Sequence, residues 1–344
     1  MLDRFQVRKK SRVTLGLMTN PTVALARPSL AVQLRAHLAI TRLDHSIKNI
    51  FVIPGILIPI SILKVPFTPA LAKNVVIGFV AVTLIACSNY VVNEVLDAPF
   101  DRLHPKKKSR PVAQGLVNVP IAFVQWIVMM FAGLALSWTI SRPFTFAAAA
   151  LWIMGCLYNI KPFRTKDVVY FDVLTESVNN PLRMLLGWYM VTSELVPPLS
   201  LLVCYWMMGC YFMALKRFSE YREIKDPHQA GAYRRSFQRY TERSLLGSAL
   251  FYASTCMLFL GAFIMRYRIE LILAFPFIAL MMSTYFNMAF NHESAAQNPE
   301  KLYREPVLMI ETVLTVLVIV LLLYFKVPLI GRPFSPTLPM TSAW

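Results

Sequence analysis

Apolar residues gather along the 344-residue chain in nine windows, roughly 50–63, 74–93, 119–139, 143–160, 179–193, 198–215, 245–265, 269–289 and 307–325. A spanning helix needs about 20 mostly apolar residues. The pattern predicts an all-α integral membrane protein, a bundle of about nine transmembrane helices. Windows 50–63 and 179–193 are short, the first holding Pro54 and Pro59 and the second Arg183. They are expected as broken helices lining a cavity, because irregular backbone survives at membrane depth only there. Upstream, Leu30, Leu34, Leu38 and Ile40 surround Arg35 and His37, the pattern of an amphipathic helix lying at the interface. The chain therefore divides into a basic tail and interfacial helix (1–41), a transmembrane catalytic unit (42–326) and a short tail (327–344). The apolar run near 13–18 is too short for a signal peptide.

Composition agrees. Hydrophobic residues make up 56% and charged residues 15%, with a mean hydropathy of +0.52; soluble domains carry about 25% charged residues. The net charge is +17, which raises nucleic acid as a partner, but the distribution excludes that need. In an alternating nine-span arrangement, 28 of the 35 lysines and arginines fall in segments on one side. That is the positive-inside bias. It places the N-terminus, 93–115 and 212–244 in the cytoplasm, as in a multi-pass protein of the bacterial plasma membrane, with membrane lipids as partners. The five cysteines form no CxxC and lie in apolar windows, as buried structural thiols do. The five histidines lack zinc spacing,.

The segment NEVLDAPFDRLHPKKKSRPVAQG, 93–115, runs from the second window into a basic loop. Asn93, Asp97 and Asp101 are four apart, so on a helix they share one face. Such oxygen ligands beside Lys107 and Arg110 suit Mg²⁺, which takes one or two carboxylates plus substrate phosphates. The competing reading is a set of helix-end charges at the headgroups. Asp172, Glu176 and Asn180 repeat the spacing before the fifth window, either as a duplicated half or by coincidence. Lys216, Arg217 and Glu220 begin while the sixth window is ending, where charge is costly and usually functional. Tyr158 and Lys161 close the fourth window: the tyrosine is expected as an interfacial anchor, the lysine on a phosphate.

NEVLDAPFD resembles the N-D-x-x-D-x-x-x-D signature of the UbiA superfamily of membrane prenyltransferases, with Glu94 where that family usually has Asp. HPKKKSRP (104–111) and KRFSE (216–220) resemble HPxKxxRP and KRxxE elements of its polyprenyl-phosphate phosphoribosyltransferase (decaprenyl-phosphate phosphoribosyltransferase) branch, and Arg42 with Lys48–Asn49 resembles the motif before the family's first span. The segment 162–188 is richer in polar groups than the branch implies. The resemblance implies a cytoplasm-facing active-site cavity and Mg²⁺-dependent transfer of 5-phosphoribose from phosphoribosyl pyrophosphate to a polyprenyl phosphate. In that reading Asn93, Asp97 and Asp101 hold the metal, and Asp97, Asp101 and Glu220 are catalytic. Lys107 and Arg110 hold pyrophosphate, while Arg42, Lys48, Lys161, Asp172, Lys216 and Arg217 bind substrate. Arg217 is expected to point away from Glu220. One alternative is a prenyltransferase moving a polyprenyl group from its pyrophosphate to an aromatic acceptor such as 4-hydroxybenzoate. Such enzymes usually carry a later D-x-x-x-D, whereas Asp167 and Asp172 are spaced one residue wider. The other alternative is a transporter or lipid flippase, which would place its site at the midplane. Oligomeric state stays open.

Overall fold

A computed structural model describes residues 29–102, 107–224, 231, 234–292, 294–297, 299–331 and 333–334. The tail 1–28, His104 to Lys106 of the motif loop, and 335–344 lie outside the described residues. Every described element is helical. In chain order these are α1 (Leu30–Ala39), α2 (Ile53–Leu63), α3 (Pro69–Asp101), α4 (Val119–Trp138), α5 (Arg142–Asn159), α6 (Phe171–Ser177), α7 (Asn179–Val191), α8 (Leu199–Ile224), α9 (Glu242–Tyr267), α10 (Phe275–Met288) and α11 (Pro306–Tyr324).

Each of the nine apolar windows forms a helix, but the nine spans are not confirmed. Seven helical stretches are long and apolar enough to cross a membrane among the described residues. α5 and α7, with 18 and 13 residues, are not among them. The two short windows break as their sequences suggest. Leu43–Val52 is a 3₁₀ segment that hands over to α2 at Pro54, and α7 is split from α6 at Val178.

Sequence explains the main helix starts. Thr68 and Asn118 accept from the backbone N–H three residues on, and proline follows each in the first turn; proline costs nothing where the N–H has no helical partner. A reciprocal cap between Thr241 and Ser244 starts α9.

Length positions the site. α3 has 33 residues, about 50 Å at 1.5 Å per residue, against a hydrocarbon core of about 30 Å. Its Asn93–Asp101 end therefore overshoots. α8, with 26 residues, overshoots likewise and carries Arg217 and Glu220 with it. Both charged ends, with the loops after α5 and α8, form one charged face of the bundle.

The core is apolar and dispersed among the helices. One cluster joins α8, α9 and α10 through Phe218, Phe237, Leu245 and Tyr285. Another joins α2, α3, α5 and α7 through Ile56, Ile85, Leu151 and Leu186. A third packs Ile40, Val91, Ala98 and Val112 beneath the motif loop. Outward faces of α9 and α11, with Leu250, Leu258, Ile310 and Val313, are exposed and apolar, as lipid-facing surfaces must be.

α2 and α7 touch backbone to backbone at Gly55 and Gly187: a Cβ on either would strike a main-chain carbonyl, Met184 O or Val52 O. Small residues permit such approach between membrane helices. Gly187→Ala is expected to cost about 1–3 kcal/mol through overpacking, seen as a lower melting temperature in detergent. Gly247→Ala, where a Cβ meets nothing within 4 Å, serves as the control and is expected to lose none.

Candidate active site

The charged end of α3 presents four polar side chains whose partners differ. Asn93 Nδ2 donates to Asn159 Oδ1 at 2.5 Å. Asp97 Oδ1 accepts from Arg164 Nη2 at 3.0 Å and from Lys166 Nζ at 2.5 Å. Lys166 also donates to Asn159 Oδ1 at 2.9 Å, which links Asn93 and Asp97 through the end of α5. Asp101 Oδ2 accepts from Arg110 Nη1 at 2.6 Å. Glu94 faces elsewhere, since one residue along a helix turns about 100°. It is 2% exposed and accepts from Arg42 Nε and Nη2, both at 3.2 Å, and from Val112 N at 3.4 Å. Arg42 is left-handed, φ 52°, so Glu94 pins a strained turn before α2 and the loop after α3 at once.

A second carboxylate centre stands opposite. Asp172, 0% exposed, accepts from Arg217 Nε at 3.2 Å, Arg234 Nη1 at 3.3 Å, Ser236 Oγ at 3.2 Å and Tyr240 OH at 2.8 Å. Arg217 reaches Glu220 Oε2 with Nη1 at 2.8 Å, while Lys216 Nζ is 4.0 Å from Glu220 Oε1. The 234–240 return is thus no solvated loop: Ser236, Phe237 and Tyr240 are buried. A buried carboxylate needs this density of donors, because desolvating it costs several kcal/mol.

Lys107 lies electrostatically between the centres, with Arg110, Arg234, Glu220 and Asp101 as its charged neighbours. Burial, reinforced by those arginines, pushes its ammonium down to about 8. Burial also lowers Lys166 to about 8, against the pull of Asp97. Both lysines are therefore protonated below about pH 8 and lose charge above it.

The structure brings Asn93, Asp97, Asp101, Lys107, Arg110, Asp172, Lys216, Arg217 and Glu220 to the charged face. Three expectations change. Arg217 does not point away from Glu220 but is wedged between Glu220 and Asp172. Tyr158 is no interfacial anchor: it is buried, with Lys166 Nζ 5.9 Å from its ring centre. Lys161 is exposed, and Lys166 occupies the interior position beside Asp97. Arg42 is committed to Glu94, and Lys48 lies over the Tyr90 ring at 5.8 Å. Sequence reasoning missed Arg164, Lys166, Asn159, Arg234 and Tyr240. The only signal for the first two was a polar segment, 162–188, too rich for an ordinary connection.

The α3 end suits a divalent cation by its donor set. Each carboxylate engages its basic partners through one oxygen, Asp97 through Oδ1 and Asp101 through Oδ2, and Asn93 engages Asn159 through nitrogen. Asp97 Oδ2, Asp101 Oδ1 and Asn93 Oδ1 are thus a set of hard oxygen donors on successive turns. Mg²⁺ takes such oxygens and completes its shell with phosphates and water.

The UbiA prenyltransferase family matches residues 52–310. The decaprenyl-phosphate phosphoribosyltransferase of Mycolicibacterium smegmatis is 27% identical over 175 residues, 51% of this chain and 52% of that protein. A protoheme IX farnesyltransferase of Aliivibrio salmonicida is 25% identical over 187 residues, 51% of this chain and 63% of that one. The chain spans less than two thirds of the length of these relatives. A UbiA homologue from Archaeoglobus fulgidus, bound to GPP and Mg²⁺, superposes with a TM-score of 0.62 at 17% identity, over 85% of this chain and 98% of that one. At that identity the likeness establishes the fold.

The two carboxylate centres are expected to respond unequally to neutralisation. Asp172→Asn leaves Arg217 and Arg234 buried beside a lost charge and should cost about 3–5 kcal/mol. Asp97→Asn should cost far less, because the Asp97 side chain is 21% exposed. Thermal unfolding in detergent checks this, and equal losses would contradict it.

Proposed function

The chain belongs to the UbiA prenyltransferase family, and we propose that it transfers 5-phosphoribose from phosphoribosyl pyrophosphate to a polyprenyl phosphate of the decaprenyl type, releasing pyrophosphate. One observation carries this reading. Asp172, the acidic position of the second half, is surrounded by Arg217, Arg234, Ser236 and Tyr240, which use both of its oxygens. The second half therefore offers cations where a second metal cluster would need free carboxylates. Cations suit a reaction with two anionic substrates. The relatives include both phosphoribosyl and farnesyl transferases, and the charge balance of this chain is what supports the phosphoribosyl reading.

In this reading Asn93, Asp97 and Asp101 would hold Mg²⁺, and the metal would supply positive charge to stabilise a departing pyrophosphate. Lys107 and Arg110 bind pyrophosphate oxygens, Arg through a fork and Lys as a point charge. Arg164 and Lys166 orient Asp97. Glu220 positions Lys216 towards the sugar-phosphate end of the donor. The C1–O bond to pyrophosphate breaks, and an oxygen of the lipid phosphate bonds to C1. That oxygen is already anionic at neutral pH, so no general base is required. In this reading the charged face opens to the cytoplasmic side of a bacterial inner membrane, an orientation that the positive-inside bias supports.

The direct test offers purified protein, Mg²⁺ and a polyprenyl phosphate either phosphoribosyl pyrophosphate or, with 4-hydroxybenzoate, a prenyl pyrophosphate. A lipid product heavier by one phosphoribosyl group supports the reading; a prenylated benzoate overturns it. Asp97→Ala and Asp101→Ala should each lower turnover by at least a hundredfold while the protein stays folded, the scale of losing several kcal/mol of transition-state stabilisation. Near-wild-type activity in either would remove the metal assignment.

The lysines set the pH dependence. Protonated Lys107 and Lys166 disappear as pH rises through about 8, so kcat/KM for the pyrophosphate donor should fall on that side. The double substitution Lys107→Arg/Lys166→Arg should move the fall above pH 10, because arginine does not deprotonate in proteins. An unmoved profile would reject the role of these lysines.

A further inference from the structure

Seven of the described arginines are not exposed, and six of them lie within 4.0 Å of a carboxylate: Arg42, Arg110, Arg164, Arg217, Arg234 and Arg268. Arg183 does not. It is 7% exposed, on α7 in the bundle interior. Its contacts are neutral and long: Nε to Asn49 Oδ1 at 3.5 Å and Nη1 to the Asn179 carbonyl at 3.4 Å. A guanidinium cannot shed its proton at any accessible pH. Burying it without a counter-charge is therefore costly. Arg217, equally buried, shows what compensation looks like, with a carboxylate on either side.

The surroundings are built rather than accidental. Asn49 Nδ2 is anchored on Thr83 Oγ1 at 2.9 Å, which turns its Oδ1 towards Arg183. One turn from Arg183, Asn179 Oδ1 is buried and has no hydrogen-bond partner. An unmet polar atom and an uncompensated cation thus meet at the start of α7. They are the signature of a site completed by an anion that also bears a hydroxyl.

Depth selects the kind of anion. Arg183 is eleven residues beyond Asp172, roughly 16 Å along the helical path, though its side chain leans back towards the charged face. At the charged face Lys107, Arg110, Arg164, Lys166 and Arg234 already offer cations to soluble phosphates. A phosphate that travels further inward has to arrive on an apolar carrier. We propose that Arg183, with Asn49 and Asn179, is the subsite for the phosphate-monoester head of a lipid. This rests on the phosphoribosyl-transfer reading for the use the lipid is put to, and assigns the acceptor phosphate to a place distinct from the donor's.

The test uses the full-length protein in phosphatidylcholine nanodiscs, with farnesyl phosphate, inorganic phosphate and Mg²⁺-phosphoribosyl pyrophosphate as titrants. The wild type should bind farnesyl phosphate at least tenfold more tightly than inorganic phosphate. Arg183→Gln should weaken farnesyl phosphate tenfold or more and leave the pyrophosphate donor within twofold. Arg183→Lys, which keeps the charge, should fall between. Unliganded Arg183→Gln should melt at or above the wild-type temperature, since an uncompensated buried charge has been removed. A role in packing alone predicts the reverse. Equal farnesyl phosphate binding by wild type and Arg183→Gln, or a Gln variant that fails to fold, overturns the subsite and leaves the phosphoribosyl reading standing. Inorganic phosphate bound as tightly as the lipid overturns the lipid assignment. A wild type that ignores farnesyl phosphate overturns the acceptor reading and the subsite with it.

Discussion

A carboxylate sealed from water at the edge of a membrane bundle must be surrounded by donors, and Asp172 organises the charged face by that requirement. It draws Arg217 from α8 and Arg234, Ser236 and Tyr240 from the return between α8 and α9. Two separate stretches of chain are tied to α6 by one side chain. Arg217 then carries the constraint on to Glu220. The geometry of the second half of the site thus follows from the cost of burying one charge.

The first half is held differently. Asp97 and Asp101 each keep one oxygen clear of their cationic partners, whereas the Asp172 side chain is used at both oxygens. The result is an asymmetric face, with free carboxylate oxygens at the end of α3 and arginines gathered around Asp172 on α6. Lys107 lies within the field of both. In the proposed reaction a soluble pyrophosphate and a lipid phosphate would place their negative charges on such a face without competing for the same ligand.

Much of the fold was legible because membrane burial writes long apolar windows into the chain. The span count was less so: α5 and α7 are short, and composition alone could not separate a spanning helix from one buried within the bundle. The Asn93–Asp97–Asp101 face followed from helical period. Its partners did not, since Arg164 and Lys166 are 67 and 69 residues away from Asp97 and nothing local links them. Glu94 stood out as a longer side chain where the family usually has Asp, yet its role as a clamp on Arg42 and Val112 needed coordinates. Arg217 was misplaced for a related reason. Spacing put Lys216 and Glu220 on one face, but the i, i+3 pair of Arg217 and Glu220 was the stronger because Asp172 already fixed the guanidinium.

The central claim is that metal ligands occupy one half of the charged face and cations the other. The most direct measurement is the structure of the protein with Mn²⁺ and pyrophosphate, with the metal located by anomalous scattering. The account predicts metal density against Asn93, Asp97 and Asp101 only, with Arg217 and Arg234 still on Asp172. Metal bound to Asp172, with those arginines displaced, would contradict it.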